Sequence, residues 1–320
     1  MPLTLYIGPQ PSPELLVRWI QIGTHSPRFA INCFKTSPKN TQVGDVIEPW
    51  LYPETTPIVR AAIKRRYEIL PYIYSLGLES HLTASPPQRW IGWGFEHDPE
   101  VWTSQVLKNG EEQFWLGESI LVGGVYEAGV KVARVYLPRK ASANSNIFDY
   151  GYVNLNAPFE CHASGQWVDI ASEWKESIPL LARIGSAIPV GKDVQTRVPG
   201  DDTQASLAVS EVDDYRGVEI FPPKGASHGH VFVNTWFEDD GISIQPRISQ
   251  YTVQYSSTSE KVIVEFIRNE ESGFVPAWSD LDIVLHHGDE RRVVSKFGEV
   301  AYKGKDVRGR LVFTLLASSQ

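Results

Sequence analysis

The spacing of apolar residues changes once along this chain, near Asp98, and that change limits the fold more than any other feature. Before it, apolar residues recur at helical spacing. Leu15, Leu16, Trp19 and Ile20 mark one helix face, with Ser12 as N-cap, Pro13 at the first helical position and Gly23 as the stop. Thr56 and Pro57 open a second, longer helix whose stripe is Ile58, Ala62, Ile69, Ile73 and Leu76. Pro71 is expected to kink or break it, because it has no N–H to donate and its ring clashes one turn back. Between the two helices the sequence predicts a long loop, Ser26 to Pro53, containing Gly44-Asp45-Val46-Ile47-Glu48-Pro49-Trp50.

Beyond Asp98 the pattern is that of strands. Ser119 to Tyr126, Lys131 to Leu137 and Ile178 to Val190 are apolar and strand-like, with Gly123-Gly124 as a bulge or a close backbone approach. Gly191 to Asp214 is polar and predicts a linker or long surface loop. Tyr251, Val253 and Tyr255 alternate with polar residues, as do Val262, Val264 and Phe266. The polar gap Ser256 to Glu260 fits a hairpin connection between them. Leu281 to Leu285 and Leu311 to Leu315 are further strands, and the whole run suggests a β-sandwich.

The chain has 320 residues, enough for two or three domains. A net charge of −8 leaves nothing to neutralise a run of phosphates, so nucleic acid is not an expected partner, and an anionic membrane surface is disfavoured. No apolar run is long enough to span a bilayer. Met1 to Tyr6 has no basic signal-peptide start and no Asn-x-Ser/Thr acceptor occurs, so the expected location is cytoplasmic. Cys33 and Cys161 are too far apart in sequence to suggest a disulfide framework and are expected to be two buried thiols. Ten Trp, 13 Tyr and 13 Phe suit stacking on sugar rings and core packing alike.

No glycine loop for phosphate, Gly-x-Ser-x-Gly elbow or His-Glu-x-x-His occurs, so no cofactor and no metal is expected. Glu79 and His81 do not share a helix face, and His286-His287 lacks a third ligand at zinc-like spacing. Glu238-Asp239-Asp240-Gly241 fits a turn after the strand Val231 to Phe237. A calcium loop would need alternating ligands and a distal glutamate, which are missing. Asp45 and Glu48 could form a carboxylate pair for glycoside hydrolysis if their oxygens lay about 5 Å apart. Alternatively, Glu48 ties the loop down through hydrogen bonds.

Several strings, collinear from residue 9 to about 250, change this reading. Arg18-Trp19-Ile20-Gln21-Ile22-Gly23 resembles the Arg-Trp-x-Gln-x-Gly segment of glycoside hydrolase family 31. Glu48-Pro49-Trp50-x-Tyr52 follows, then Arg66-Tyr67-x-x-Leu70-Pro71-Tyr72, Gln113-Phe114-x-x-Gly117 and Val135-Tyr136-Leu137-Pro138. Arg183-x-Gly185-x-x-Ile188-Pro189 and Phe237-Glu238-Asp239-Asp240-Gly241 complete the series, which is most similar to fungal α-glucosidase-like and α-xylosidase-like members.

The resemblance implies an α/β plus all-β fold. Residues 1–104 would be the C-terminal part of a (β/α)8 catalytic barrel, 105–190 a proximal β-domain and 191–320 a distal β-sandwich domain. It implies a retaining α-glycosidase acting on α-glucosides or α-xylosides, with its nucleophile and acid/base aspartates upstream of Met1. No catalytic residue is then expected in this chain, which by itself would be inactive, and the N-terminal part of the barrel becomes an expected partner. The alternative is a non-catalytic carbohydrate-binding or structural remnant. Two departures stand out. The family's Asp-x-Gly-Gly-Phe is replaced by Pro2-Leu3-Thr4-Leu5-Tyr6, and its sugar-holding Arg-x-His aligns with Ala30-Ile31-Asn32, which makes Asn32 the expected substrate-binding residue.

Overall fold

The computed structural model describes residues 5–8, 10–37, 40–140, 149–193, 213–268 and 273–316; the side chains of 5–8, 32–37 and 40–46 lie outside the description. It divides into two compact units, residues 1–66 with 86–183 and residues 67–85 with 184–320.

In the first unit, helix α1 (Pro13–Gly23) begins where its cap residues predict. The Ser12 hydroxyl accepts the Leu15 N–H at 3.2 Å, and Pro13 and Glu14 occupy the first turn. Leu16, Val17 and Ile20 are its buried apolar residues, packed with Ile47 and Val59, whereas Leu15 is exposed; the buried face is turned toward Val17 from the expected stripe. Strands Leu5–Gly8 and Asn32–Ser37 are parallel and flank α1 in sequence, which makes a βαβ unit. Strand Asn40–Val46 then adds antiparallel. The expected loop from Ser26 to Pro53 is therefore partly a hairpin. Its strands are too polar to announce themselves by alternation, and one of them, Asn32–Ser37, also pairs with Leu5–Gly8, far away in sequence.

The long second helix is two helices, α2 (Thr56–Glu68) and α3 (Leu70–Thr83), broken at Ile69 with Pro71 in the first turn of α3. Tyr72, Ile73 and Leu76 are buried on α3; on α2 the fully buried apolar residue is Val59, with Ile58 and Ala62 only partly covered.

Apart from two short helices, Glu100–Thr103 and Gln105–Lys108, the rest of the first unit is β among the described residues. One sheet orders its strands Gln88–Arg89, Gln113–Leu116, Ile120–Gly123, Leu180–Arg183, Tyr152–Asn154 and Cys161–His162, and Val132–Leu137 pairs with Gln166–Ala171. Their core centres on Trp115, Tyr152, Leu121 and Leu181. The Gln113 amide completes the backbone pairing by side chain, donating to Tyr136 O and accepting from Tyr136 N, both at 2.9 Å. Gly123 is a close approach, since a Cβ there would lie 2.7 Å from Val135 Cγ1.

The second unit holds two five-stranded sheets. One runs Ala187–Val190, Arg216–Ile220, Leu281–Leu285, Leu311–Leu315, Ala301–Lys305; the other runs Phe232–Glu238, Ser249–Ser257, Lys261–Arg268, Arg292–Ser295, Gly298–Glu299. Tyr251, Val253, Tyr255, Val262, Val264 and Phe266 are buried, and their strands pair antiparallel across the expected gap. The expected strand Ile178 to Val190 is two strands. Between them, Gly185 adopts φ 99°, and a Cβ there would lie 2.5 Å from the Phe232 ring, so this position of the Arg-x-Gly string requires glycine. Most of the linker predicted from Gly191 to Asp214 lies outside the described residues. Among the described residues no helix is long and apolar enough to cross a membrane.

Candidate functional site

The polar residues of the barrel-like strings hold the backbone in place. Arg18 is buried; its Nε donates to Glu14 at 2.8 Å, and its guanidinium reaches Ser172 O at 3.2 Å and Val130 O at 2.5 Å. Gln21 donates to Trp174 O and Glu176 O. At Gly23, a Cβ would meet the Phe29 ring at 2.9 Å, so the absence of a side chain lets the loop after α1 fold back on it.

That loop leads to Asn32, and Arg66 clamps it. Arg66 Nη1 donates to Thr24 O at 2.9 Å and Ser26 O at 2.7 Å, Nη2 donates to Pro27 O at 3.0 Å, and the guanidinium lies 5.4 Å from the Phe29 ring centre. His25 is buried beneath, with Nδ1–H donating to Gln21 O at 2.9 Å. Burial above all lowers its pKa to about 4, the nearby charges of Arg65 and Arg66 adding to the effect, so the ring is neutral. Tyr52, from the Glu-Pro-Trp string, donates to Pro11 O at 2.5 Å and accepts from Gln10 at 2.9 Å, tying the segment after the first strand to the loop before α2.

Asn32 is the first residue of its strand, in register with Leu5. Its side chain, and that of Asp45, lie outside the described residues, so no Asp45–Glu48 oxygen separation is defined. Glu48 is half-buried after the Asn40–Val46 strand, and its carbonyl accepts the Leu51 N–H at 3.0 Å.

Two further acids, Asp98 and Asp240, hold loops in place. Asp98 is buried and accepts from Tyr136 Oη at 2.8 and 3.0 Å, Arg139 N at 2.8 Å and Glu100 N at 3.1 Å. Burial and the Asp98 bond push the Tyr136 phenol well up, so it stays protonated as a donor. Asp240 caps its turn by accepting from Ile242 N, Ser243 N and the Ser243 hydroxyl, and Gly241 adopts φ 65°. This turn opens the connection 239–248 rather than a two-residue hairpin.

The sequence reading missed a buried centre beside that turn. Glu238 accepts from Arg216 Nε at 2.7 Å, Trp236 Nε1 at 2.8 Å and Trp278 Nε1 at 3.0 Å, and Arg216 Nη2 also reaches Asp213 at 2.5 Å. Only the Glu-Asp-Asp-Gly string hinted at it, because its partners are spread over residues 213–278. His286 and His287 have lowered pKa values, chiefly through burial, and His286 stacks on Phe221 at 6.0 Å. Cys161 forms no disulfide and is half-buried rather than buried; the Cys33 side chain lies outside the description. Among the described residues no cluster of three or more His, Cys, Asp or Glu could hold a metal.

Comparison with known proteins agrees with this arrangement. The glycosyl hydrolases family 31 TIM-barrel domain matches residues 6–76, and the glycosyl hydrolase family 31 C-terminal domain matches residues 84–188. A probable glucan 1,3-alpha-glucosidase of Arabidopsis thaliana is 30% identical over 247 residues, which is 75% of this chain and 22% of that protein. Neutral alpha-glucosidase AB of Homo sapiens is 26% identical over 292 residues, 89% of this chain and 26% of that protein. A Flavobacterium johnsoniae family 31 dextranase, complexed with isomaltotriose, shares the fold with a TM-score of 0.69 at 20% identity, over 96% of this chain and 36% of that one. The chain thus spans 22% to 36% of the lengths of these relatives. With barrel and C-terminal matches following one another in family order, the chain belongs to glycoside hydrolase family 31 and corresponds to the C-terminal portion of its members.

Proposed function

We propose that this chain is the C-terminal part of a retaining α-glycosidase that hydrolyses the O-glycosyl bonds of α-glucosides or α-xylosides. The observation that carries the reading is the consecutive match of both family domains over residues 6–76 and 84–188. It is supported by α-glucosidase relatives in plants and humans. Residues 1–104 then contribute to the barrel, 105–190 form the proximal β-domain, and 191–320 form the distal one, with its two sheets as the leaves of a sandwich.

Retaining hydrolysis needs a nucleophilic carboxylate and an acid about 5–5.5 Å apart across the scissile bond. Asp98 and Glu238 are unsuited to either role, because hydrogen bonds saturate both below the surface. The proposal therefore assigns this chain support of the barrel and its closing loops, with the reacting carboxylates supplied by the N-terminal part of the barrel. Asn32 is proposed to hydrogen-bond sugar hydroxyls, as an amide that can donate and accept.

Release of nitrophenol from nitrophenyl α-glucoside and α-xyloside tests this. A protein joining this chain to the N-terminal part of the barrel should turn over at least one of them, and the 320-residue chain alone should turn over neither. Asn32→Ala in the joined protein should lower turnover without shifting the melting temperature. Turnover by the chain alone that vanishes on mutating Asp45 or Glu48 would move the catalytic site into that loop and overturn the assignment. Glucan binding with no turnover by the joined protein would favour a non-catalytic carbohydrate-binding remnant.

A further inference from the structure

The second unit contains a cavity of about 580 Å³, within the usual range for small-ligand sites. Its walls come from the start of α3, the Glu238–Gly241 turn and the segment Phe274–Trp278. Tyr67 and Tyr74 are 38% and 45% exposed and both line the cavity, which offers aromatic surface to a ligand. Trp278 is buried and fixed by its bond to Glu238.

The polar lining is of both kinds. Asp239 accepts through Oδ1 from the Tyr74 hydroxyl at 2.6 Å and from Gly241 N at 2.8 Å, a geometry that holds both the carboxylate and the ring in place. The Tyr74 phenol is pushed up to about 12, by burial first and by Asp239 second, so it remains a donor. Arg216 is 3% exposed and lines the same cavity; its Nη1 is buried with no hydrogen-bond partner among the described residues.

Charge decides the ligand class. Two cationic side chains, Lys192 and Arg216, face four carboxylates, Asp213, Glu238, Asp239 and Asp240. The excess of negative charge disfavours phosphates, sulfates and acidic sugars. Aromatic faces beside an anchored carboxylate fit a neutral ligand with an apolar C–H face and hydroxyls that can donate to it. We propose that this cavity is a saccharide-binding site of the second unit, taking a neutral oligosaccharide with a sugar ring stacked on Tyr74 and a hydroxyl donating to Asp239. The choice of an α-linked glucose oligomer as probe rests on the proposed glycosidase reading.

The test is titration of the 320-residue chain with maltotriose and, separately, cellotriose, read by calorimetry and by tryptophan fluorescence, which Trp278 should report. The expected result is saturable binding of at least one trisaccharide, weakened about tenfold by Tyr74→Ala and by Asp239→Asn, with no change in melting temperature. Tyr74→Phe, which keeps the ring, should retain most of the affinity. Should Tyr74→Ala fail to fold, Tyr67→Ala at the exposed rim takes its place. Absence of saturable binding to either sugar overturns the proposal, as does binding untouched both by Asp239→Asn and by Tyr74→Ala or the Tyr67→Ala that replaces it. None of these results reads nitrophenyl glycoside turnover, so failure here and failure of the glycosidase reading are separate outcomes.

Discussion

His25 shows how one buried side chain makes stability depend on pH. Its pKa is lowered from 6.5 to about 4 in the fold, so above pH 6.5 the ring is neutral in both folded and unfolded chains. As pH falls from 6.5 toward 4, the unfolded chain takes up a proton that the folded chain refuses, and folding stability declines. The full loss is on the order of 3 kcal/mol for this group. Urea unfolding at pH 7 and at pH 4.5 should show this decline, and His25→Gln should remove much of it; an unchanged slope would mean that other groups set the acid limit. At Gly23 and Gly185, by contrast, it is the absence of a side chain that counts, because a ring occupies the place of each missing Cβ.

At the scale of elements, the junction of α2 and α3 is tied to the distal sheet by a buried charge network within the second unit. Arg310, just before strand Leu311–Leu315, pairs with Glu68 at the end of α2, with Glu219 at 2.9 Å on strand Arg216–Ile220, and with Asp306 at 2.7 Å. Arg310, Glu68 and Glu219 are all buried. Glu68 also pairs with Arg308 at 3.0 Å, but removing the Arg310 cation still breaks buried ion pairs to Glu68 and Glu219, and breaking a buried pair costs about 3–5 kcal/mol. Arg310→Ala should lower the urea midpoint accordingly. Arg310→Met combined with Glu68→Gln and Glu219→Gln should recover most of the loss, because the two buried carboxylates are then neutral amides. If the single and triple variants are equally unstable, packing rather than charge holds the junction.

At the scale of the whole molecule, the barrel-like portion is a small sheet with open sides. Among the described residues its order places Leu5–Gly8 and Asn40–Val46 outermost, so each has an edge of unpaired backbone groups. Such edges recruit further strands. The 320-residue chain purified alone is therefore expected to self-associate, with a light-scattering mass above its 35.9 kDa. Ile7→Pro should reduce this, because proline removes an N–H from the outer strand. A wild-type mass of 35.9 kDa at moderate concentration would show that the edges are covered in solution.

Local chemistry was readable in the sequence. The Ser12-Pro13 start, the break at Pro71, and the alternation of Tyr251 to Tyr255 and Val262 to Phe266 depend on neighbours within a few residues, and the fold kept each of them. The order of the family strings could also be read, since they are collinear and the family domains match in that order. What tertiary structure decided was partnership across long separations. The Asn32–Ser37 strand pairs with Leu5–Gly8 across α1, and strand Leu281–Leu285 lies parallel to Arg216–Ile220. The ion pairs of Glu238 with Arg216 and of Arg310 with Glu68 likewise join residues that no local pattern links. Periodicity tells which side of an element is apolar, but not which other element covers it. Buried charges depend on that choice of cover, because the energy of an ion pair is set by the dielectric and the distance that packing creates.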